Sequence, residues 1–193
     1  MNFSRFEDAI NLIDREIKGS LCGEPKELYD ATRHLHVAGG KRVRPLLCLL
    51  ACDSVGSEPK SIIKSAIAVE LIHTFTLVHD DMMDKDEVRR GVPSVHTLYG
   101  ESTAILAGDL LFAKAFEVCD QRVTTILAKA SVEICEGQQM DISFEKKEYI
   151  PEAEYLEMIK KKTGVLLNAA TISGAILGGG TEKEIEALST YGS

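Results

Sequence analysis

The sequence lacks any sustained alternation of apolar and polar residues, which argues against a protein built on half-buried sheet strands. Basic charge is also in short supply. Lys and Arg number 22 against 30 Asp and Glu, giving a net charge of −8 and a pI near 5.2. A nucleic-acid partner is therefore not expected, because phosphate backbones call for a basic face, and any anionic ligand must be held by a local cluster. Cys-x-x-Cys spacing is absent. The five cysteines are an odd number, and Cys48 and Cys52 lie four apart in an apolar segment, as buried thiols do, so neither a redox nor a metal role is expected of them. The N-terminal stretch MNFSRFEDAINLIDREIKG is acidic and amphipathic, unlike a basic-then-apolar leader, and no apolar run approaches the length of a membrane span. The expectation is a soluble, cytoplasmic protein with no membrane span, and a single helical domain over residues 1–193.

What is present reads as all-α. Phe6, Ile10, Ile13 and Ile17 recur at helical spacing behind a Ser4…Glu7 capping box. Pro25, Pro45, Pro59 and Pro151 each stand where the first turn of a helix is expected. From Pro59 to about Asp84 the chain is apolar almost all round until its last turns, as a helix at the centre of a bundle should be. A loop of about fifteen residues follows, then helices over approximately 102–120, 122–145 and 151–177, the last bent at Gly164. Thr181 and Glu184 form a capping box for one more helix, which has barely three turns before Ser193 and reads as unfinished.

The polar end of the long helix carries the chemistry. In VHDDMMDKDEVRRG, Asp80 and Asp84 are one turn apart and Asp81 is beside Asp80, so three carboxylates can converge on one helix end. Such carboxylates repel unless a hard cation joins them. Mg²⁺ takes one or two protein carboxylates and completes its octahedron with water and ligand phosphate oxygens, which predicts a phosphate-bearing ligand. Arg89 and Arg90 suit bidentate contact with diphosphate, or alternatively salt bridges to Asp86 and Glu87. A second anion site is suggested by AGGKRVRP: Gly39 and Gly40 allow close approach, Lys41, Arg42 and Arg44 supply charge, and Pro45 begins a helix. It is not a Walker A loop, since Ser or Thr does not follow Lys41. His73, seven residues before Asp80, shares its face and could donate to an anion or simply sit in the core. GQQMD, with Gln138 and Asp141, and Lys162 in KKKTG are further candidates, or surface polarity.

Two anion sites, metal carboxylates and an apolar helix leading away from them describe a pocket for diphosphates with hydrocarbon tails. In this order GGKRVRP, DDMMD with RRG, GQQMD and KTG resemble the trans-isoprenyl diphosphate synthases, the polyprenyl synthetase family, from about residue 30 to the end. The resemblance implies an isoprenoid-synthase-type helical bundle and Mg²⁺-dependent condensation of an allylic diphosphate with isopentenyl diphosphate. By similarity Asp80, Asp81 and Asp84 bind Mg²⁺ on the allylic diphosphate and Arg89 contacts that diphosphate. Lys41, Arg44, His73 and Arg90 match positions that bind isopentenyl diphosphate, Lys162 with Thr163 the allylic side, and Gln138 and Asp141 a polar pair at the reaction centre. Phe75, with Thr76 beside it, resembles the residues that limit product length, implying a geranylgeranyl product before farnesyl. Homodimers are common in the family. Its second aspartate-rich motif is missing, since no aspartate follows Asp141. The expectation is the N-terminal portion of the fold, with its C-terminal part absent and its activity alone in question. The alternatives are a non-catalytic prenyl-diphosphate-binding subunit of a heteromer, or an all-α metal phosphohydrolase using His79 and Asp80 with His34 or His36.

Overall fold

The computed structural model describes residues 3–193, with side chains from residue 6 onward. The side chain of Ser4, on which the first capping box depends, lies outside the described residues. Helices α1 (Phe3–Ser20), α2 (Lys26–Val37) and α3 (Val43–Ser54) are followed by a 3₁₀ turn (Pro59–Ile62) that leads into α4 (Ile63–Met83). A small hairpin, β1 (Val88–Arg89) with β2 (Val92–Pro93), precedes α5 (Val95–Tyr99) and α6 (Glu101–Val118). Next come α7 (Gln121–Phe144) and α8 (Glu152–Ile159), a π-helical turn (Lys160–Gly164), α9 (Val165–Leu177) and α10 (Glu182–Gly192). The all-α expectation holds, with two residues in each strand of the hairpin as the exception among the described residues.

The chain divides into two compact units, Met1–Leu46 with Ile63–Cys119 and Leu47–Ile62 with Asp120–Ser193. In the first unit α4 packs on α6 and α1, and α6 also packs on α2 and α5. Close approach is possible because α6 presents Ala104, Ala107, Gly108, Leu111 and Ala115, small residues for the most part, all buried at helical spacing. Gly108 is the tightest point: a Cβ there would lie 2.5 Å from Cδ2 of His79 on α4. Ile13 and Ile17 of the predicted α1 stripe are buried. The second unit packs α9 against α7 and α10. On the other side of α9, a Cβ at Gly174 would overlap the carbonyl of Cys48 and fall 2.8 Å from Ala51 Cβ, so glycine is what lets α9 lie against α3. The predicted Thr181…Glu184 capping box is formed, with Thr181 N–H donating to Glu184 Oε2 at 2.7 Å.

Two local features differ from the sequence reading. The residues expected as loop between Asp84 and α6 include the hairpin and α5. Arg90 (φ 54°) and Gly91 (φ 78°) occupy its two-residue turn, with left-handed backbone at both positions as the twist of a tight hairpin requires. Two-residue strands are too short to show an alternating pattern. The expected bend at Gly164 is instead the whole π-helical turn Lys160–Gly164, and Gly164 itself has ordinary helical backbone.

The span Pro59–Met83 is long and apolar enough to cross a membrane by length and composition, contrary to the expectation that no run approaches that length. Of its most apolar eighteen-residue stretch 61% is buried within the protein, which is how the core helix of a bundle passes the same test.

Candidate functional site

In the first unit, α2 ends at Val37 and Gly39 turns the chain with φ 95°, a conformation that costs glycine little. The following residues return to α3 and leave a cavity of about 410 Å³ lined by Gly39, Gly40, Lys41, Arg42, Arg44, His73 and Arg90, with Glu70 as the one acidic residue on its wall. Each of the four positions expected to hold one diphosphate, Lys41, Arg44, His73 and Arg90, lines this space. Arg90 reaches it from the hairpin turn, donating through Nη1 to the carbonyl of Leu35 at 2.9 Å and to that of Gly39. Burial draws the Arg44 and Arg90 guanidiniums below their usual range, and Arg44 Nε has no hydrogen-bond partner. Burial first, then Arg44, Arg90 and Arg42, pushes His73 down to about 3, so it is neutral at physiological pH and offers one N–H. A crowd of cations with an unsatisfied donor favours an anion.

Arg42 has a different task from the one its motif suggested. It is 2% exposed, with left-handed backbone (φ 50°), and donates to Asp14 at 2.7 Å, Glu70 at 3.0 Å and the carbonyl of His36 at 2.9 Å. Its charge is therefore committed inside the protein. Glu70 was missed by sequence reasoning, and His36 was considered there only as a ligand of the phosphohydrolase alternative. Burial raises Glu70 while Arg42 opposes the shift, and burial followed by Arg42 and Arg90 pushes His36 down to about 3. A single glutamate within the apolar run AIAVELI was the available signal for a buried ion pair.

At the end of α4, Lys85 (φ 58°) and a bond from Asp86 N–H to the carbonyl of Asp81 at 2.8 Å close the helix in a Schellman arrangement. Asp81 is fully buried and accepts from Arg89 Nε at 2.7 Å, while Arg89 also reaches Asp86 at 3.3 Å. Burial raises Asp81, opposed by Arg89, and its Oδ2 has no partner. Asp80 is half-buried and Asp84 exposed. The expected convergence of three carboxylates is not what the structure shows, because Asp81 is turned to Arg89. Among the described residues no three His, Cys, Asp or Glu side chains are gathered to hold a metal. The salt-bridge alternative, offered for Asp86 and Glu87, is realised in part: Arg89 meets Asp86 and, beyond the expectation, Asp81, whereas Arg90 bonds to carbonyls. The phosphohydrolase constellation does not assemble either: His34 meets the Pro93 carbonyl at 2.7 Å, His36 is buried, and His79 meets the Ile105 carbonyl at 3.3 Å.

Phe75 lies in an aromatic column, 4.9 Å from His79 and 5.0 Å from Phe112 between ring centroids, with Phe116 a further 5.0 Å beyond Phe112. At 3.6 residues per turn, Thr76 lies roughly 40° from Asp80 around α4 and Phe75 roughly 140°. Thr76 thus shares the acidic face more closely than Phe75 does.

In the second unit Lys162, on the π-helical turn, donates to Asp141 of α7 at 2.5 Å, and Lys161 donates to Glu136 at 2.6 Å. The structure therefore joins Asp141 and Lys162, two candidates drawn from separate motifs. Gln138 is 7% exposed with neither amide atom partnered, and Thr163 is exposed.

The polyprenyl synthetase family model matches residues 25–193. The chain belongs to this family. Among polyprenyl synthetases, it is 50% identical over 177 residues to the geranylgeranyl diphosphate synthase of Methanosarcina mazei, an alignment covering 87% of this chain and 55% of that relative. The solved geranylgeranyl pyrophosphate synthetase of Geoglobus acetivorans superposes with a TM-score of 0.93 at 48% identity, covering 97% of this chain and 64% of that one. That of Pyrococcus horikoshii Ot3 gives 0.95 at 47% identity, covering 98% and 61%. The chain thus spans between 55% and 64% of the length of these relatives. The isoprenoid-synthase fold expected from the motifs is confirmed by these likenesses, and family membership displaces the phosphohydrolase reading.

Proposed function

We propose that this chain binds isopentenyl diphosphate and an allylic prenyl diphosphate and condenses them in a Mg²⁺-dependent prenyl transfer, with geranylgeranyl diphosphate favoured over farnesyl as product. The observation that carries the reading is the cationic cavity of the first unit. Lys41, Arg44 and Arg90 would neutralise the diphosphate of isopentenyl diphosphate, and the neutral His73 would donate one hydrogen bond to it. The donor set at the end of α4 fits Mg²⁺ bound through Asp80 and Asp84, a turn apart, with the remaining positions left to water and phosphate oxygen. Asp81, the third ligand its motif suggests, accepts from Arg89 Nε at 2.7 Å and would instead hold Arg89 toward the allylic diphosphate. When bound, Mg²⁺ would supply charge neutralisation for a departing diphosphate. Lys162, with Thr163, serves the allylic side, and Gln138 and Asp141 the polar surroundings of the reacting centre.

The allylic C1–O bond breaks with its electron pair leaving on diphosphate, stabilised by the cationic side chains. The alkene of isopentenyl diphosphate attacks C1, and a proton passes to the released diphosphate, leaving a chain one isoprene unit longer. No protein nucleophile is required. Thr76 would line the path of the growing tail on the acidic face of α4, and Phe75 would act through its contact with Phe112. Exposed Ile105 and Leu106 on α6 support a homodimer.

The test is to supply the chain with Mg²⁺, isopentenyl diphosphate and dimethylallyl, geranyl or farnesyl diphosphate, and to resolve products by length. Geranylgeranyl diphosphate formation supports the reading. Binding of both substrates without turnover would assign the chain to the non-catalytic alternative, and binding of neither would overturn the site.

A further inference from the structure

Gly137 of α7 lies directly against the backbone of the π-helical turn Lys160–Gly164. A Cβ built on Gly137 would overlap the backbone nitrogen of Lys162 and lie 2.9 Å from both the carbonyl carbon and Cβ of Lys161. Three of these features matter together. The obstruction is mainly backbone, which cannot swing aside as a long side chain can. The turn carries one residue more than an α-helical turn, which redirects the side chains that follow it. Two of the turn's three lysines end on α7 carboxylates, Lys161 on Glu136 at 2.6 Å and Lys162 on Asp141 at 2.5 Å, so that Gly137 sits between the two anchor points. Next to it along α7, the buried Gln138 has an amide with neither atom partnered.

We infer that Gly137 is a positioning residue for Lys162: it lets the π-helical turn rest on the α7 backbone and so presents the Lys162 ammonium, parked on Asp141, for transfer to the diphosphate of an allylic substrate. This rests on the allylic role proposed above for Lys162. A side chain at position 137 would push the turn away and carry Lys162 off Asp141, without touching the first-unit residues proposed for isopentenyl diphosphate. The predicted effect is selective between the two substrates, which mere loosening of the fold is not.

The experiment is calorimetric titration of the chain with geranyl diphosphate and Mg²⁺, and separately with isopentenyl diphosphate, for the wild type, Gly137→Ala, Lys162→Ala and Gly164→Ala. A Cβ at Gly164 meets nothing nearer than Lys160 Cγ at 3.9 Å, so that variant controls for added bulk in the turn. Gly137→Ala should lose about tenfold or more in geranyl diphosphate affinity, comparable to Lys162→Ala, as expected for one charge-assisted hydrogen bond. Its isopentenyl diphosphate affinity should be unchanged, as should both affinities of Gly164→Ala. Should Gly137→Ala fail to fold, deletion of Lys160 serves instead. It converts the π-helical turn to α-helix, rotates Lys162 by roughly 100° relative to the preceding helix, and should give the same selective loss. Equal loss for both substrates, or none, would overturn the positioning role alone. Wild-type protein that binds neither substrate would overturn the site reading and this inference with it.

Discussion

Replacing Arg42 by Met is expected to be among the most damaging single changes in the first unit. The Arg42 and Glu70 side chains are 1% and 3% exposed and meet at 3.0 Å, so truncating the arginine leaves a carboxylate buried without its partner. Breaking such a pair from one side costs about 3–5 kcal/mol. The bond to the His36 carbonyl adds about 1 kcal/mol. The contact with Asp14 adds less than about 1 kcal/mol, because that carboxylate is 46% exposed. Methionine preserves most of the apolar stem and leaves the left-handed backbone cost as it was, so the difference reports the polar contacts. Against a typical stability of about 5–15 kcal/mol, the variant should be marginal. With a urea slope of about 2 kcal/mol per molar, its unfolding midpoint, followed by circular dichroism, should fall by roughly 2 M. Adding Glu70→Gln removes the stranded charge and should restore about 2 kcal/mol. A loss below about 1 kcal/mol in the single variant, or a double variant less stable than the single, would refute the argument that Glu70 is held as a buried anion by Arg42.

Acid should destabilise the protein well before its carboxylates titrate. His36 and His73 lie at about 3 in the folded protein against an ordinary 6.5, so the unfolded chain binds more protons between those values. Stability is then full above about pH 6.5 and falls as pH drops, by about 2–3 kcal/mol between pH 7 and 5.5 for the pair, and changing both to Gln should flatten that limb in urea titrations at each pH. Gly174→Ala should cost about 1–3 kcal/mol in thermal unfolding, since the new methyl must displace the Cys48 carbonyl or Ala51, and an unchanged midpoint would contradict the close packing of α9 on α3. In the prenyl-transfer assay Phe75→Ala should lengthen the product and Thr76→Phe should shorten it. Unchanged lengths in both would leave the aromatic column as packing alone.

Helix periodicity, the second capping box and the turn at Gly39 were legible in the sequence because each depends on neighbours within a turn or two. Thr181 and Glu184 meet on the spacing that defines a cap, and Gly39 does turn the chain before Lys41. What the sequence could not show were partners chosen by tertiary structure. Three aspartates within five residues look equivalent on paper, yet α4 ends by burying Asp81 against Arg89 and leaving Asp84 in solvent. Arg42 and Arg44 lie two residues apart in one basic motif, and only the ion pairs to Asp14 and Glu70, each 28 residues distant, separate their roles. The π-helical turn was read as a glycine bend because one additional residue in a turn leaves no mark on local composition.

The most direct measurement of the central claim is a metal-free calorimetric titration of isopentenyl diphosphate into the chain, repeated with Arg44→Met and at raised salt. Saturable binding that weakens about tenfold or more in the variant, and weakens further with salt, is the predicted result for a diphosphate held by Lys41, Arg44 and Arg90. Absence of binding by the folded wild type, or binding indifferent to Arg44, would contradict the assignment of this cavity to a diphosphate.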